Sequence, residues 1–319
     1  MDEKDKKILF ELEKNSRIPI NKLAKHAGVS KEVANYRLRR FIKNKVILDF
    51  YTIINIEPLG FSRYGCLVQL KNVNNQLEKE IIDFLIKHDY VTYLGPIIGK
   101  WNMAFDLMAK DRTQLEKIIK EIKSKYHRFI ESFIVINSSV EFKSFPLKFL
   151  GYERSESVNT HYKKLKIDDK DIKILKLLSE DSRAEYKHLS SKLSLSANAV
   201  KYRIKNMEKS GLIQGYSVSI DVRKLGYFWH NIQIKLINEE KSDKIKDFLR
   251  NHKNVIYYYK HLGNENWDMD IGIVVRDTLA LRQFILDLRE EFGEFIKLHD
   301  IYANVEIAKS NIAPKGIFE

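Results

Sequence analysis

The stretch Ser30-Lys31-Glu32-Val33-Ala34-Asn35-Tyr36-Arg37-Leu38-Arg39-Arg40 has a counterpart 166 residues downstream, Ser196-Ala197-Asn198-Ala199-Val200-Lys201-Tyr202-Arg203-Ile204-Lys205-Asn206. In both, a serine stands where a helix N-cap is needed. Ala34, Leu38 and Phe41, and in the second copy Val200, Ile204 and Met207, follow at the three- and four-residue spacing of an inward helical stripe. The other faces are polar. From Lys31 to Lys45 they carry six basic side chains and one acidic one.

Outward from this stretch the repeat continues without a gap, through Asp5/Asp171, Ile8/Ile174, Leu9/Leu175, Leu12/Leu178, Ser16/Ser182, Arg17/Arg183, Leu23/Leu189, Ile47/Ile213, Leu59/Leu225 and Gly60/Gly226. A repeat of constant period sets the architecture before any single residue is considered. Ile8, Leu9 and Leu12 predict a helix behind an acidic first turn, and Asn15-Ser16-Arg17-Ile18-Pro19 ends it. A second helix is expected near Ile20 to Ala27, Gly28 makes a turn, and the third helix runs from about Lys31 to Asn44. Leu189, Leu193 and Leu195 keep this layout in the second copy. The arrangement is a helix-turn-helix. Val46-Ile47-Leu48 and Phe50 to Ile54 read as the strand of a wing.

The composition agrees with a polyanion partner. The net charge is +13 over 319 residues, and residues 1–58 and 167–224 hold +9 of it, with 13 basic against 8 acidic and 12 against 8 side chains. Charge concentrated on the two repeated segments is the footprint of nucleic-acid binding. The single cysteine, Cys66, excludes an internal disulfide and a cysteine metal cluster, and the sequence offers no other metal spacing, Walker loop or nucleophile elbow. The N-terminus lacks the layout of a signal peptide and no apolar run suits a membrane helix, so a cytoplasmic protein is expected.

A helix entering the major groove reads bases with side chains near its N-terminal half and holds phosphates with Arg or Lys further along. That assigns Ser30, Lys31, Glu32, Asn35, Tyr36, Arg37 and Arg40, and Ser196, Ala197, Asn198, Lys201, Tyr202, Arg203 and Lys205, to the DNA surface. Arg37 and Arg203 are expected to reach phosphate. For Arg17 and Arg183 a phosphate and an intramodule salt bridge or carbonyl contact stay open, and Tyr36 and Tyr202 either face DNA or pack along the helix. The differences Lys31/Ala197, Glu32/Asn198 and Asn35/Lys201 imply two unlike half-sites.

The pattern Asp5, Ile8-Leu9, Leu12, Ser16-Arg17, Leu23, Ser30, Arg37, Ile47 and Leu59-Gly60, present twice, resembles the Lrp/AsnC family of transcription regulators. Where that family has glycine after the recognition helix, Gly211 conforms; the first copy has Lys45, with Asn44 expected to supply the left-handed residue. After each module the elements read βαββαβ: Tyr64 to Leu70, Gln76 to Lys87, Tyr90 to Ile98, Trp101 to Ala109, Thr113 to Lys125 and Phe129 to Phe142, and again from Phe228 to Ile307. The fold class is α+β, with each winged helix-turn-helix followed by a ferredoxin-like domain.

The expected boundaries are modules at 1–58 and 167–224, ferredoxin-like domains at 59–150 and 225–312, a linker at 151–166 and a tail at 313–319. The resemblance implies amino-acid-responsive domains whose sheets pair back to back. Its effector loop corresponds to Gly99, Trp101 and Asn102 and to Gly263, Trp267 and Asp268, while two plain β-turns are the alternative. No cofactor or metal is implied. One chain supplies both modules as a pseudo-dimer on double-stranded DNA, with further association between chains open. A second class, siroheme decarboxylase, also resembles this family; it would draw on His230, His252, His261 and the Tyr257-Tyr258-Tyr259 run.

Overall fold

The computed structural model describes residues 1–143, 147–152, 162–262, 266–310 and 313–319. The first module is α1 (Glu3–Lys14), α2 (Ile20–Ala27), α3 (Lys31–Lys43) and β1 (Ile47–Ile54). Asp2 and Asp5 form a capping box at the start of α1, Gly28 closes α2 in the left-handed conformation, and the Ser30 hydroxyl caps α3. The left-handed residue after α3 is Lys45, at φ 54°, and not Asn44, at φ −86°. The turn is held because Lys45 and Val46 donate to the carbonyls of Ile42 and Phe41 at 3.1 and 2.9 Å, which offsets the cost of placing a side chain there.

Next come β2 (Ser62–Leu70), α4 (Asn75–Lys87), β3 (Val91–Ile98), β4 (Met103–Ala109), α5 (Arg112–Tyr126) and β5 (Ile130–Lys143). The second module is α6 (Asp169–Glu180), α7 (Tyr186–Leu193), α8 (Ala197–Ser210) and β6 (Ile213–Ile220). Its sheet domain is β7 (Phe228–Leu236), α9 (Ser242–Asn251), β8 (Val255–Leu262), β9 (Met269–Val275), α10 (Thr278–Phe292) and β10 (Ile296–Asn304), followed by a short β11 (Lys309–Ser310).

The two wings are not separate hairpins. β1 pairs antiparallel with β6, Ile47 opposite Ile220 and Ile54 opposite Ile213. Shifting either pair by 166 gives the other, so the ribbon lies on a pseudo-two-fold axis relating the halves.

The sheet domains join differently from the back-to-back packing expected. Each has the ferredoxin-like order, β5-β2-β4-β3 and β10-β7-β9-β8. β5 then pairs with β8, β10 pairs with β3, and the eight strands close into a ring. The helices pack outside, through their own Ile81, Leu85, Ile118 and Ile122 in one half and Ile245, Leu249, Phe284 and Leu288 in the other. An eight-stranded ring leaves an interior that side chains fill or that holds one small ligand.

After the last strand of each half the chain returns to lock its module. Leu147 and Phe149 enter the core of the first module, and Ala313 and Ile317 that of the second. The stretch 313–319 is thus a packed segment, not a free tail. Of the expected linker, residues 153–161 lie outside the described residues, while Tyr162 and Leu165 pack on the second module.

Candidate nucleic-acid interface and interior cavity

The modules are bolted together on the pseudo-axis. The Ser16 and Ser182 hydroxyls, both fully buried, are 2.7 Å apart. Arg17 donates to the Ser182 carbonyl at 2.5 Å, and Arg183 donates to that of Ser16. Ser16 and Ser182 also donate their amides to Tyr216 and Phe50 at 3.1 and 3.2 Å. Arg17 lies 5.2 Å from the ring centres of both Tyr186 and Tyr216, and Arg183 lies 5.5 Å from Phe50. Both arginines make a carbonyl contact, but across to the opposite module and not within their own.

Arg37 and Arg203 are engaged within their own modules. Arg37 donates to Asp2 at 2.8 Å and to Asp5 at 2.5 Å, and Arg40 reaches the same Asp5 oxygen at 2.6 Å. In the second copy Arg203 meets Asp168 at 2.9 Å and Asp171 at 2.8 Å. The Arg37 guanidinium holds the Asp2 carboxyl below its ordinary value; the Asp171 amide, assisted by Arg203, does the same for Asp168. These arginines clamp the third helix to the N-terminus of the first. This explains why Asp5 and Arg37 recur together 166 residues on.

The remaining expected residues form an open surface. Lys31, Glu32, Asn198, Lys201 and Lys205 are exposed, as is Ala197, and Asn35 is half-buried. Tyr36 and Tyr202 are 65% and 67% exposed, which removes the packed alternative for both. Ser30 and Ser196 accept the amides of Val33 and Ala199 at 3.3 and 3.1 Å, as helix caps. Arg39 adds an exposed cation to the first helix.

The loop expected to hold an effector turns its polar groups inward. Asn102 accepts the Leu70 amide at 2.7 Å, and Asp268 accepts the Leu236 amide at 2.7 Å while pairing with Lys235 at 2.8 Å. Asn102 and Asp268 therefore do one job, bracing a strand end, and neither carries an uncommitted charge. Trp101 and Trp267 are buried, Gly99 sits in the first turn, and Gly263 lies outside the described residues. His252 is likewise structural: its ring accepts the Asn254 amide at 3.2 Å and rests 4.8 Å from Phe284.

The sequence reading missed the ring interior, which encloses about 310 Å³. Asp106 and Asp270 line it with Arg63, Tyr257 and Trp229, and residues of the β1–β6 ribbon, Tyr51 and Val218 among them, cover one end. Arg63 pairs with Asp106 at 2.5 Å; burial opposes its charge, but the carboxylate keeps it firmly protonated. Burial pushes the Asp270 carboxyl up to about 6, against hydrogen bonds from Asn231 and from Tyr302 at 2.9 Å. Burial lowers His261 to about 4. The available signal was inward parity on neighbouring strands, Trp229-Asn231-Gln233 and Tyr257-Tyr259-His261, polar where a packed core would be apolar.

Fold and surface together define a paired winged helix-turn-helix protein. The winged helix-turn-helix DNA-binding family model matches residues 1–47 and 167–214. An uncharacterized HTH-type transcriptional regulator of Pyrococcus furiosus is 30% identical over 149 residues, 47% of this chain and 92% of that protein. The HTH-type transcriptional regulator LrpA of Pyrococcus horikoshii is 37% identical over 86 residues, 26% of this chain and 61% of that one. The chain belongs to the Lrp/AsnC family of HTH-type transcriptional regulators, as two fused units. Across its whole length it shares the fold of the siroheme decarboxylase NirDL, at a TM-score of 0.63 and 14% identity, covering 97% of this chain and 93% of that one. Among the described residues, no helix is long and apolar enough to cross a membrane, and no cluster of metal-ligating side chains occurs.

Proposed function

We propose that this protein is a sequence-specific regulator that binds double-stranded DNA with both modules at once. The observation that carries this reading is the joint: two modules with exposed, cationic third helices are held about one pseudo-two-fold axis by Ser16, Ser182 and the β1–β6 ribbon. Two-fold related helices suit two half-sites on one face of a duplex. Base choice is assigned to Lys31, Glu32 and Asn35 and to Ala197, Asn198 and Lys201, with Tyr36, Tyr202, Arg39 and Lys205 beside the backbone. Arg37, Arg40 and Arg203 contribute by positioning the helices.

The test is selection of genomic DNA fragments by the full chain over a salt series with nonspecific competitor. Retention of a discrete set, falling steeply with salt, supports the reading; failure to select at low salt overturns it.

The enzyme reading has one observation in its favour, the fold shared with NirDL. The interior argues against it. A tetrapyrrole that bears many carboxylates needs several free cations, whereas among the described residues this cavity is lined by Asp106, Asp270 and one arginine, already paired.

A further inference from the structure

We propose that the interior of the strand ring binds a small organic amine, held as its ammonium by the Asp270 carboxylate and the faces of the surrounding tyrosines. The charges inside the ring do not balance. Arg63 is matched by Asp106 and reaches Tyr259 at 3.3 Å, so one positive and one negative charge cancel. Asp270 is left over: it is buried, and Asn231 and Tyr302 supply its hydrogen bonds, with no cation among the described residues pairing with it. A carboxyl kept in such a place rises to about 6, and an incoming cation would restore its charge.

The walls suit that cation. Tyr93 and Trp229 have ring centres 5.8 Å apart, Trp229 and Tyr257 6.0 Å, and Tyr257 and Tyr259 4.8 Å, a continuous aromatic band beside Asp270. Such a band attracts an ammonium through its ring faces. Gly272 on β9 has no side chain where the Tyr257 ring lies, so the ring fits inside only because this position is glycine.

Gln233, fully buried on the inward face of β7, lies close enough to Asp270 to help hold its carboxyl down. Leu67, Ile136, Ile256 and Val274 make the remaining wall apolar, and about 310 Å³ is at the small end of ligand cavities. The occupant is therefore a compact amine with an apolar body. It would touch Tyr51 and Val218 of the ribbon joining the modules; any effect on DNA binding rests on the regulator reading, whereas the amine site does not.

The experiment is calorimetry on the full chain with tyramine, isobutylamine and tetramethylammonium, against 3-(4-hydroxyphenyl)propionate and isobutyrate as anionic counterparts. We expect at least one amine to bind saturably, one per chain, and at least tenfold more tightly than its anionic counterpart. Asp270→Asn should weaken it at least tenfold, as should lowering the pH through Asp270's protonation in the unaltered protein. If no amine outbinds its anionic counterpart, or an anion binds more tightly, the proposal is overturned. Equal binding by a folded Asp270→Asn variant, or no pH dependence, also overturns it. If Asp270→Asn does not fold, Tyr302→Phe, which removes one donor to Asp270, must alter the pH dependence; an unchanged profile overturns the proposal. Because DNA is absent throughout, failure of the regulator reading leaves the result intact.

Discussion

Replacing Ser16 and Ser182 with alanine, singly and together, tests the joint on which the paired arrangement depends. Each hydroxyl is fully buried and has the other as its hydrogen-bonding partner at 2.7 Å. Removing one strands the other without water, which costs about 1–3 kcal/mol. Removing both leaves two methyl groups in contact and no orphaned polar atom, so the double variant should lie within about 1 kcal/mol of the parent. The singles should therefore be non-additive, with a coupling of at least about 1 kcal/mol in a double-mutant cycle. Urea unfolding, analysed at constant m, provides the measurement. Additive effects, or two neutral singles, would refute the buried contact. In that case the modules would not be locked about the axis, and two simultaneous half-sites would lose their structural basis.

The helix clamp gives a second expectation: Arg37→Ala should cost about 1–2 kcal/mol of stability, less than two full charged hydrogen bonds because Asp2 is half exposed, and its combination with Asp5→Ala should be less than additive, Asp5→Ala alone costing more because it also loses Arg40 and the capping box. The salt slope of DNA binding should stay unchanged in Arg37→Ala; a fall of about one in that slope would mark a phosphate contact instead. Lys45→Gly should stabilise by roughly 0.5 kcal/mol, since relief of left-handed strain exceeds the added freedom of the unfolded chain; a lower melting temperature would contradict this. Two interior groups act oppositely on stability as pH falls. His261 is lowered from 6.5 to about 4, so the unfolded state takes the proton first and stability drops across that window. Asp270 is raised from 3.8 to about 6, so the folded state takes it first and stability rises between those values. Melting curves of His261→Gln and Asp270→Asn from pH 7 to 4 should each lose one of these slopes, and parallel profiles would refute the burial of both.

Much of the fold was legible because it is written in local rules. Helical spacing, the serine caps, Gly28 and the offset of 166 placed both modules and both βαββαβ domains, since those signals act within a few residues. The exposed surface of α3 and α8 followed from the same periodicity. Arg37 and Lys45 show where this stops. Periodicity puts Arg37 on an outer face, but only tertiary structure brings Asp2 and Asp5 beside it, and the left-handed turn fell on lysine because Ile42 and Phe41 accept its hydrogen bonds.

The repeated parts, the basic third helices and the family can be read from the order of residues alone, because each is carried by neighbouring residues in a fixed order. How the parts meet is a matter of long-range packing: a shared ribbon in place of two wings, Ser16 against Ser182, and two sheets closed edge to edge around Asp270 and a band of tyrosines. Those outcomes depend on strand edges and inward faces far apart along the chain. No local pattern records which edge will find which partner, or what a closed ring will hold inside it.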